Sequence, residues 1–327
     1  MTNIKGILDK ESGDSDVKLL CISLKKYSST VQFIFLSTSV FLFYLSYGYM
    51  LELIFTLEGM MSYGWFLTLI QFGLYSAFAF LQLLTNKKNM QRKIPLETYF
   101  LIAILTVGTM GFSNSSMGYL NFPTQVIFKS CKLIPVMIGS VLILKKTYNM
   151  TQIAACICMT VGLIWFTLAD TVIQPAFNLK GVVLVCLALF CDSIIGNVQE
   201  GAMKKHDEPT ILVVFYSYSL GFLLILIALV SSGTFFSALS FSLQHPWEVY
   251  GRCVFLSLAG FGGVQIVLLL IAEFGAVAAV TVTTFRKALS ICLSFVLFAK
   301  PFTIHYLWGG LLVSLGVYLN VMAKRTH

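Results

Sequence analysis

Charge is what this chain has least of. Only 11% of its 327 residues are Asp, Glu, Lys or Arg, while 57% are hydrophobic. A soluble protein carries about 25% charged residues, so a water-surrounded globule is excluded. Catalytic constellations are missing as well. The four histidines, His206, His245, His305 and His327, fall in loops or at the ends of apolar runs. No HExxH, paired-aspartate or nucleophile-elbow pattern accompanies them. Neither an enzyme nor a cofactor or metal is expected. The net charge of +8 comes without a basic run interleaved with aromatics, so nucleic acid is not an expected partner. A signal peptide is not evident either. Residues 1–30 are polar and mixed in charge, with no short apolar core followed by a cleavage site. They read as a disordered cytosolic tail. Of the eight cysteines, seven lie in or beside apolar runs. Cys156 and Cys158 diverge by about 200° around a helix, which does not suit a metal site. The cysteines are read as small buried fillers, with no disulfide framework.

Long apolar runs are what the sequence has in abundance. Ten can be placed, at about 31–55, 65–84, 97–117, 122–144, 151–169, 179–198, 211–231, 252–272, 276–298 and 304–322. Roughly 20 apolar residues match a hydrocarbon core of about 30 Å, so the expected fold is an all-α integral membrane bundle of ten helices. Lys and Arg sort by side. With the N-terminus in the cytosol, fifteen fall on that face and three (Lys180, Arg252 and Lys300) on the other, placing both termini in the cytosol. Trp65, Trp247, Tyr250 and Trp308 fall near helix ends and read as interfacial anchors. Asn114 and Asn149 match the glycosylation pattern, one at a helix end and one in a cytosolic turn, and neither is given weight.

The remaining four cations lie inside the apolar runs. Lys129 and Lys132, three residues apart, share a helix face. Pro135 downstream removes a backbone donor and leaves the Cys131 carbonyl free. Arg286 and Lys287 occupy the middle of the ninth run, Arg286 roughly 15 Å deep and beyond easy snorkelling. Each such charge costs about 2.5–3.5 kcal/mol on insertion scales, so it persists where water or an anion meets it. Pairing with Glu52, Asp192 or Glu200 is the alternative, but four cations face three acids. An anionic cargo is the natural remaining partner. Asp192, Gly196 and Glu200 recur every four residues and form one stripe. These acids, with Glu52, either orient the cations or couple transport to protons. Tyr47 and Tyr49 flank the Glu52 segment and could equally donate to a phosphate or pack as rings. Gln199 joins the candidate substrate contacts. Phe215-Tyr216-Ser217-Tyr218 offers rings on which a base could stack.

An internal repeat organises the chain. Gly48-Tyr-Met-Leu-Glu52 in the first run parallels Gly196-Asn-Val-Gln-Glu200 in the sixth. Thr124-Gln-Val-Ile-Phe128-Lys129 in the fourth parallels Thr281-Val-Thr-Thr-Phe285-Arg286 in the ninth. An odd number of spans per repeat inverts the second copy, a transporter device with the substrate held between the halves near midplane. The expected organisation is a tail over 1–30, repeats over 31–169 and 179–322, and a cytosolic tail over 323–327. Gly108, Gly111 and Gly118 in the third run, and Gly260, Gly262 and Gly263 in the eighth, are taken as packing seams or hinges.

The run Tyr119 to Met137, the segment Gly196 to Lys204 and Thr283-Thr-Phe-Arg-Lys287 resemble the nucleotide-sugar transporter group of the drug/metabolite transporter superfamily. Within that group they are most similar to Golgi carriers of the sulfate donor 3′-phosphoadenosine 5′-phosphosulfate. The resemblance implies a multi-pass Golgi membrane protein with ten helices in two inverted repeats. It would move the donor into the lumen for sulfation by alternating access, in exchange for an adenine nucleotide. A carrier of a nucleotide sugar such as a UDP-sugar is the alternative. In related GDP-mannose carriers an FYNN motif holds the nucleotide and a GALNK motif the sugar and phosphates. Phe215 and Tyr216 match the first, and only Lys287 matches the second. Arg286 stands where those carriers have a neutral residue, which suits a more anionic cargo. The sulfate donor carries roughly −4, against about −2 for a UDP-sugar. The expected partners are the anionic nucleotide and the bilayer, with a homodimer left open. A non-transporting scaffold would have no use for four cations at bilayer depth.

Overall fold

The computed structural model describes residues 18–19, 22–23, 28–85, 92–131, 149–173, 178–206, 208–298 and 303–325. The helices among the described residues are α1 Ser29–Phe55, α2 Gly64–Thr85, α3 Leu96–Ser116, α4 Phe122–Ser130, α5 Met150–Ile173, α6 Leu179–His206, α7 Thr210–Ser231, the short α8 Thr234–Gln244, α9 Arg252–Leu297 and α10 Ile304–Arg325. Ahead of them, Lys18–Leu19 pairs antiparallel with Ile22–Ser23. Five helical stretches among the described residues are long and apolar enough to cross a membrane: Ser29–Phe55, Met60–Thr85, Leu96–Ser116, Thr210–Ser231 and Trp247–Val267. This is a multi-pass membrane protein.

Local chemistry sets the helix starts. Pro95 and Pro209 stand immediately before α3 and α7, and Pro123 opens α4. At those positions the missing N–H removes no hydrogen bond. Gly59 (φ 90°) and Gly233 (φ 72°) occupy the left-handed region where the chain leaves α1 and α7, a conformation that costs glycine little. The connection after α7 is more structured than the sequence suggests. It holds the short helix α8 and a π-helical turn, Trp247–Gly251. Their apolar side chains are what the hydropathy of a connection does not report: Ala238 is buried and Val249 joins the core with Leu256 and Leu51.

The helical stretch α9 has 46 residues, about 69 Å if straight. Its contacts rule out a straight rod. A Cβ at Gly263 would strike the Tyr44 ring, and the Arg286 guanidinium lies over that same ring. Twenty-three residues of straight helix would separate those positions by about 34 Å. Ile266 and Val282 likewise both pack against Leu36 and Val40 of α1. The stretch therefore folds back between Phe274 and Val282 into two antiparallel arms along α1. These are the two runs that the sequence separates at 252–272 and 276–298.

Helix pairing follows a simple pattern. The first arm of α9 packs on α1, α6 on α3, α7 on α2 and α10 on α5, while α4 meets the second arm of α9. Two clasps tie distant segments at the ends of the bundle. In one, Glu208, 5% exposed, accepts the backbone N–H groups of Lys93 (2.9 Å) and Ile94 (2.6 Å) through Oε2 and the Tyr99 hydroxyl through Oε1. Three donors satisfy a buried carboxylate that would otherwise be costly. In the other, Arg252 Nη1 donates to the Leu53 carbonyl at 2.9 Å.

Trp65 is the second residue of α2, at the helix end where the sequence puts an interfacial anchor. Its ring lies over Gly111 and edge-on to Phe112, because the missing Cβ at Gly111 makes an interior slot. Trp247 and Trp308 are exposed. Cys131 and Cys253 are buried as expected, but Cys186 and Cys292 are exposed. In a membrane bundle the outer face is lipid, so small apolar residues need not hide in the core. Asn114 is buried, with Nδ2 donating to Gln71 Oε1 at 2.7 Å and Thr68 Oγ1 at 3.0 Å, so its place in a glycosylation pattern carries no meaning.

Candidate substrate site

Cations from the fourth and ninth apolar runs come together from α4 and α9. Lys287 Nζ donates to the main-chain carbonyl of Lys129 at 3.3 Å, joining the end of α4 to the second arm of α9. The α4 helix ends at Ser130, and Cys131 leaves the helical range with φ −86° and ψ 20°. The last carbonyls of a helix lack intrahelical donors, and an ammonium is a suitable partner for one of them. Asp192 of α6 lies within electrostatic range of both Lys129 and Lys287, and Arg286 is within range of both lysines too. Three cations and one acid thus face one another from three helices. Lys132 falls outside the described residues.

Arg286 has a different support. Its Cζ sits 4.2 Å from the centroid of the Tyr44 ring. Its Nε is buried and has no hydrogen-bond partner among the described residues. Tyr44 belongs to a group of tyrosines from three helices. Tyr75 of α2 lies within electrostatic range of Tyr44, Tyr47 and Tyr218, and its ring meets that of Tyr218 at 5.1 Å. The first arm of α9 makes room for this group, since a Cβ at Gly260 would strike the Tyr75 hydroxyl and the Tyr47 ring. The same glycines that read as a seam in the sequence are here seats for rings. Tyr44, Tyr47, Tyr218, Lys129, Arg286 and Lys287, from four helices, are each partly buried.

Glu52, 5% exposed, accepts the Ser294 hydroxyl, at 2.7 Å through Oε2 and 3.0 Å through Oε1. A small chamber of about 10 Å³ beside it is lined by Gly48, Phe122 and the Ser290 and Ser294 hydroxyls. The pair Phe215 and Tyr216 packs behind the tyrosine group. Phe215 stacks on Phe80 at 5.9 Å, and Tyr216 meets Tyr99 at 5.1 Å. Tyr218, two positions on, is the ring of that segment that reaches the tyrosines. Gln199 is half-buried on α6. The side chain of Glu200 falls outside the described residues.

Sequence reasoning missed Tyr44, Tyr75 and the amide pair Gln71–Asn114. One signal was available for Tyr44: with Gly48 and Glu52 it recurs every four residues, so all three share a face of α1. For Tyr75 and Gln71 no signal existed, because their meaning depends on which helices pack together.

Comparison with known proteins places this geometry. The profile of the UAA transporter family matches residues 32–324. Proteins called adenosine 3′-phospho 5′-phosphosulfate transporter 2 are similar along most of the chain. The one from Homo sapiens is 54% identical over 94% of this chain and 77% of its own length. The one from Drosophila melanogaster is 51% identical over 95% and 81%, and that from Caenorhabditis elegans 48% identical over 94% and 84%. A solved crystal structure shares the fold with a TM-score of 0.58 at 12% identity, covering 92% of this chain and all of its own.

Proposed function

The chain belongs to the UAA transporter family, and we propose that it carries 3′-phosphoadenosine 5′-phosphosulfate from the cytosol into the Golgi lumen. There the donor would supply sulfation. The observation that carries this reading is the meeting of Lys129, Arg286 and Lys287 between α4 and α9, with Asp192, among the described residues, the one acid in electrostatic range of both lysines. Such an excess of positive charge at bilayer depth is stable when an anion fills it. The sequence supplies a fourth candidate cation, Lys132, three residues after Lys129. Asp192 and Glu52 orient this group, with Glu200 extending the stripe on α6. Tyr47 and Gln199 supply hydrogen bonds, and Phe215 and Tyr216 back the tyrosine that reaches the interior. The names of the relatives support the choice of cargo.

The mechanism we assign is alternating access between two inverted five-helix repeats, with exchange for an adenine nucleotide. The helix pairing supports it. Count the arms of α9 as the eighth and ninth spans, set the short α8 aside, and advance every span by five. The pairing of α1 with the eighth span becomes that of α6 with α3. The pairs α2–α7, α5–α10 and α4 with the ninth span map onto themselves. A two-fold axis in the membrane plane would produce this pattern. The lysine and arginine distribution supports cytosolic termini.

The test is uptake by the purified protein in liposomes. Labelled sulfate donor should enter against preloaded adenosine 3′,5′-bisphosphate, and Arg286→Gln should reduce entry to background with the folded protein retained. Entry of a UDP-sugar in place of the donor would replace this reading.

A further inference from the structure

We propose that Tyr44 is a positioning residue for the cargo anion, acting through Arg286, whose guanidinium lies over its ring. This rests on the reading of the α4–α9 cations as the anion site. The distinctive observation is how Arg286 is supported. Among the described residues no carboxylate lies within ion-pair distance of its guanidinium. The Tyr44 ring lies against it, 4.2 Å from Cζ, and among the described residues its buried Nε has no hydrogen-bond partner.

The two kinds of support have opposite consequences for binding. A carboxylate would engage the in-plane N–H fork, the same donors that grip a phosphate or sulfate. Cargo would then have to displace it. An aromatic face stabilises the cation through its quadrupole, and more strongly when the pair is desolvated. A ring has no carboxylate oxygens to occupy the fork, so it does not compete with an oxyanion as an acid would. Tyr44 thus keeps the charge fixed and its donors available. The position of the ring is itself determined. Gly263 of the first arm lies beneath it, and a Cβ there would come within 2.8 Å of the ring. Three spans contribute in sequence: Gly263 gives space, Tyr44 fills it, and Arg286 lies on Tyr44.

The experiment uses the full chain in liposomes and scores Tyr44→Phe, Tyr44→Leu and each of these in an Arg286→Lys background. The probe is whichever anionic nucleotide the unaltered protein transports, so a wrong cargo assignment does not decide the outcome. Tyr44→Phe keeps the face and should stay within twofold in KM. Tyr44→Leu should raise KM about tenfold, with the maximal rate and the melting temperature nearly unchanged. In the lysine background, where the planar fork is gone, the leucine change should add less than twofold. Equal losses for Phe and Leu would assign the effect to the hydroxyl and overturn the proposal. So would an undiminished leucine effect in the lysine background, which would show that Tyr44 acts independently of Arg286. An unchanged KM for Tyr44→Leu would overturn it directly.

Discussion

Two seams of this bundle are built from glycine, and they do different things. Between α5 and α10, glycine meets backbone: a Cβ at Gly162 would lie 2.7 Å from the Gly309 carbonyl oxygen and 2.8 Å from the Val313 nitrogen. At Gly316 the Ala155 carbonyl oxygen would be 2.7 Å away. Main chains touch there, and neither can yield. Between α1 and the first arm of α9, glycine meets rings. Gly260 faces Tyr47 and Tyr75, Gly262 faces Phe43, and Gly263 faces Tyr44. The first seam fastens two helices. The second holds aromatic side chains that support the cation site. A stripe of small residues in an apolar helix therefore signals close approach, while what approaches decides whether the stripe is scaffold or site.

That contrast can be broken by adding methyl groups. The largest effect belongs to Gly162→Val, where backbone on both sides leaves no room. Overpacking of this kind costs about 1–3 kcal/mol, lowering the melting temperature in detergent by roughly 2–10 °C. An unchanged melting temperature would refute the scaffold reading. Gly263→Ala comes next and should act on transport. The Tyr44 ring can swing where a backbone cannot, so stability should hold within about 0.5 kcal/mol. KM should rise about tenfold, equal to roughly 1.4 kcal/mol, because Arg286 loses its platform. Equal damage at both sites in a melting assay would erase the distinction. Gly310→Ala is the control of opposite sign: nothing lies within 4 Å of its added Cβ. The helix should gain about 0.5–1 kcal/mol, seen as a higher melting temperature with unchanged uptake. The smallest effect is expected at Gly73→Ala. Its Cβ would meet the mobile Phe222 ring at 3.3 Å, so helix gain and contact cost should cancel within about 0.5 kcal/mol.

Much of the fold was legible because a bilayer imposes one length scale. Apolar runs mark spans whatever their neighbours, and the eighth and ninth runs emerge as the two arms of α9. The short helix α8 was not legible, since 11 residues of mixed character carry no membrane signal. The cations of the site were legible for the same reason as the spans: Lys129, Arg286 and Lys287 contradict their surroundings. Their supports were not. Tyr44 and Tyr75 stand in runs where aromatic residues are 14% of the chain, and a ring is no contradiction there. Only the pairing of α1 with α9 separates a platform from filler. Gln71 and Asn114 illustrate a third case, in which two neutral amides meet across α2 and α3 and carry no charge for a sequence to reveal.

The bond from Ser294 to Glu52 spans 242 residues, which has a consequence for biogenesis. Glu52 leaves the ribosome on the first span, and its hydroxyl partner arrives on the ninth. At about 5–20 residues per second, synthesis holds that acid waiting for roughly ten to fifty seconds. During that interval its carboxyl group must be sheltered by the insertion machinery, by headgroup water or by a temporary neighbour. Nascent chains arrested before Ser294 should accordingly crosslink to membrane chaperones through the first helix, and should lose those crosslinks once the ninth span is delivered.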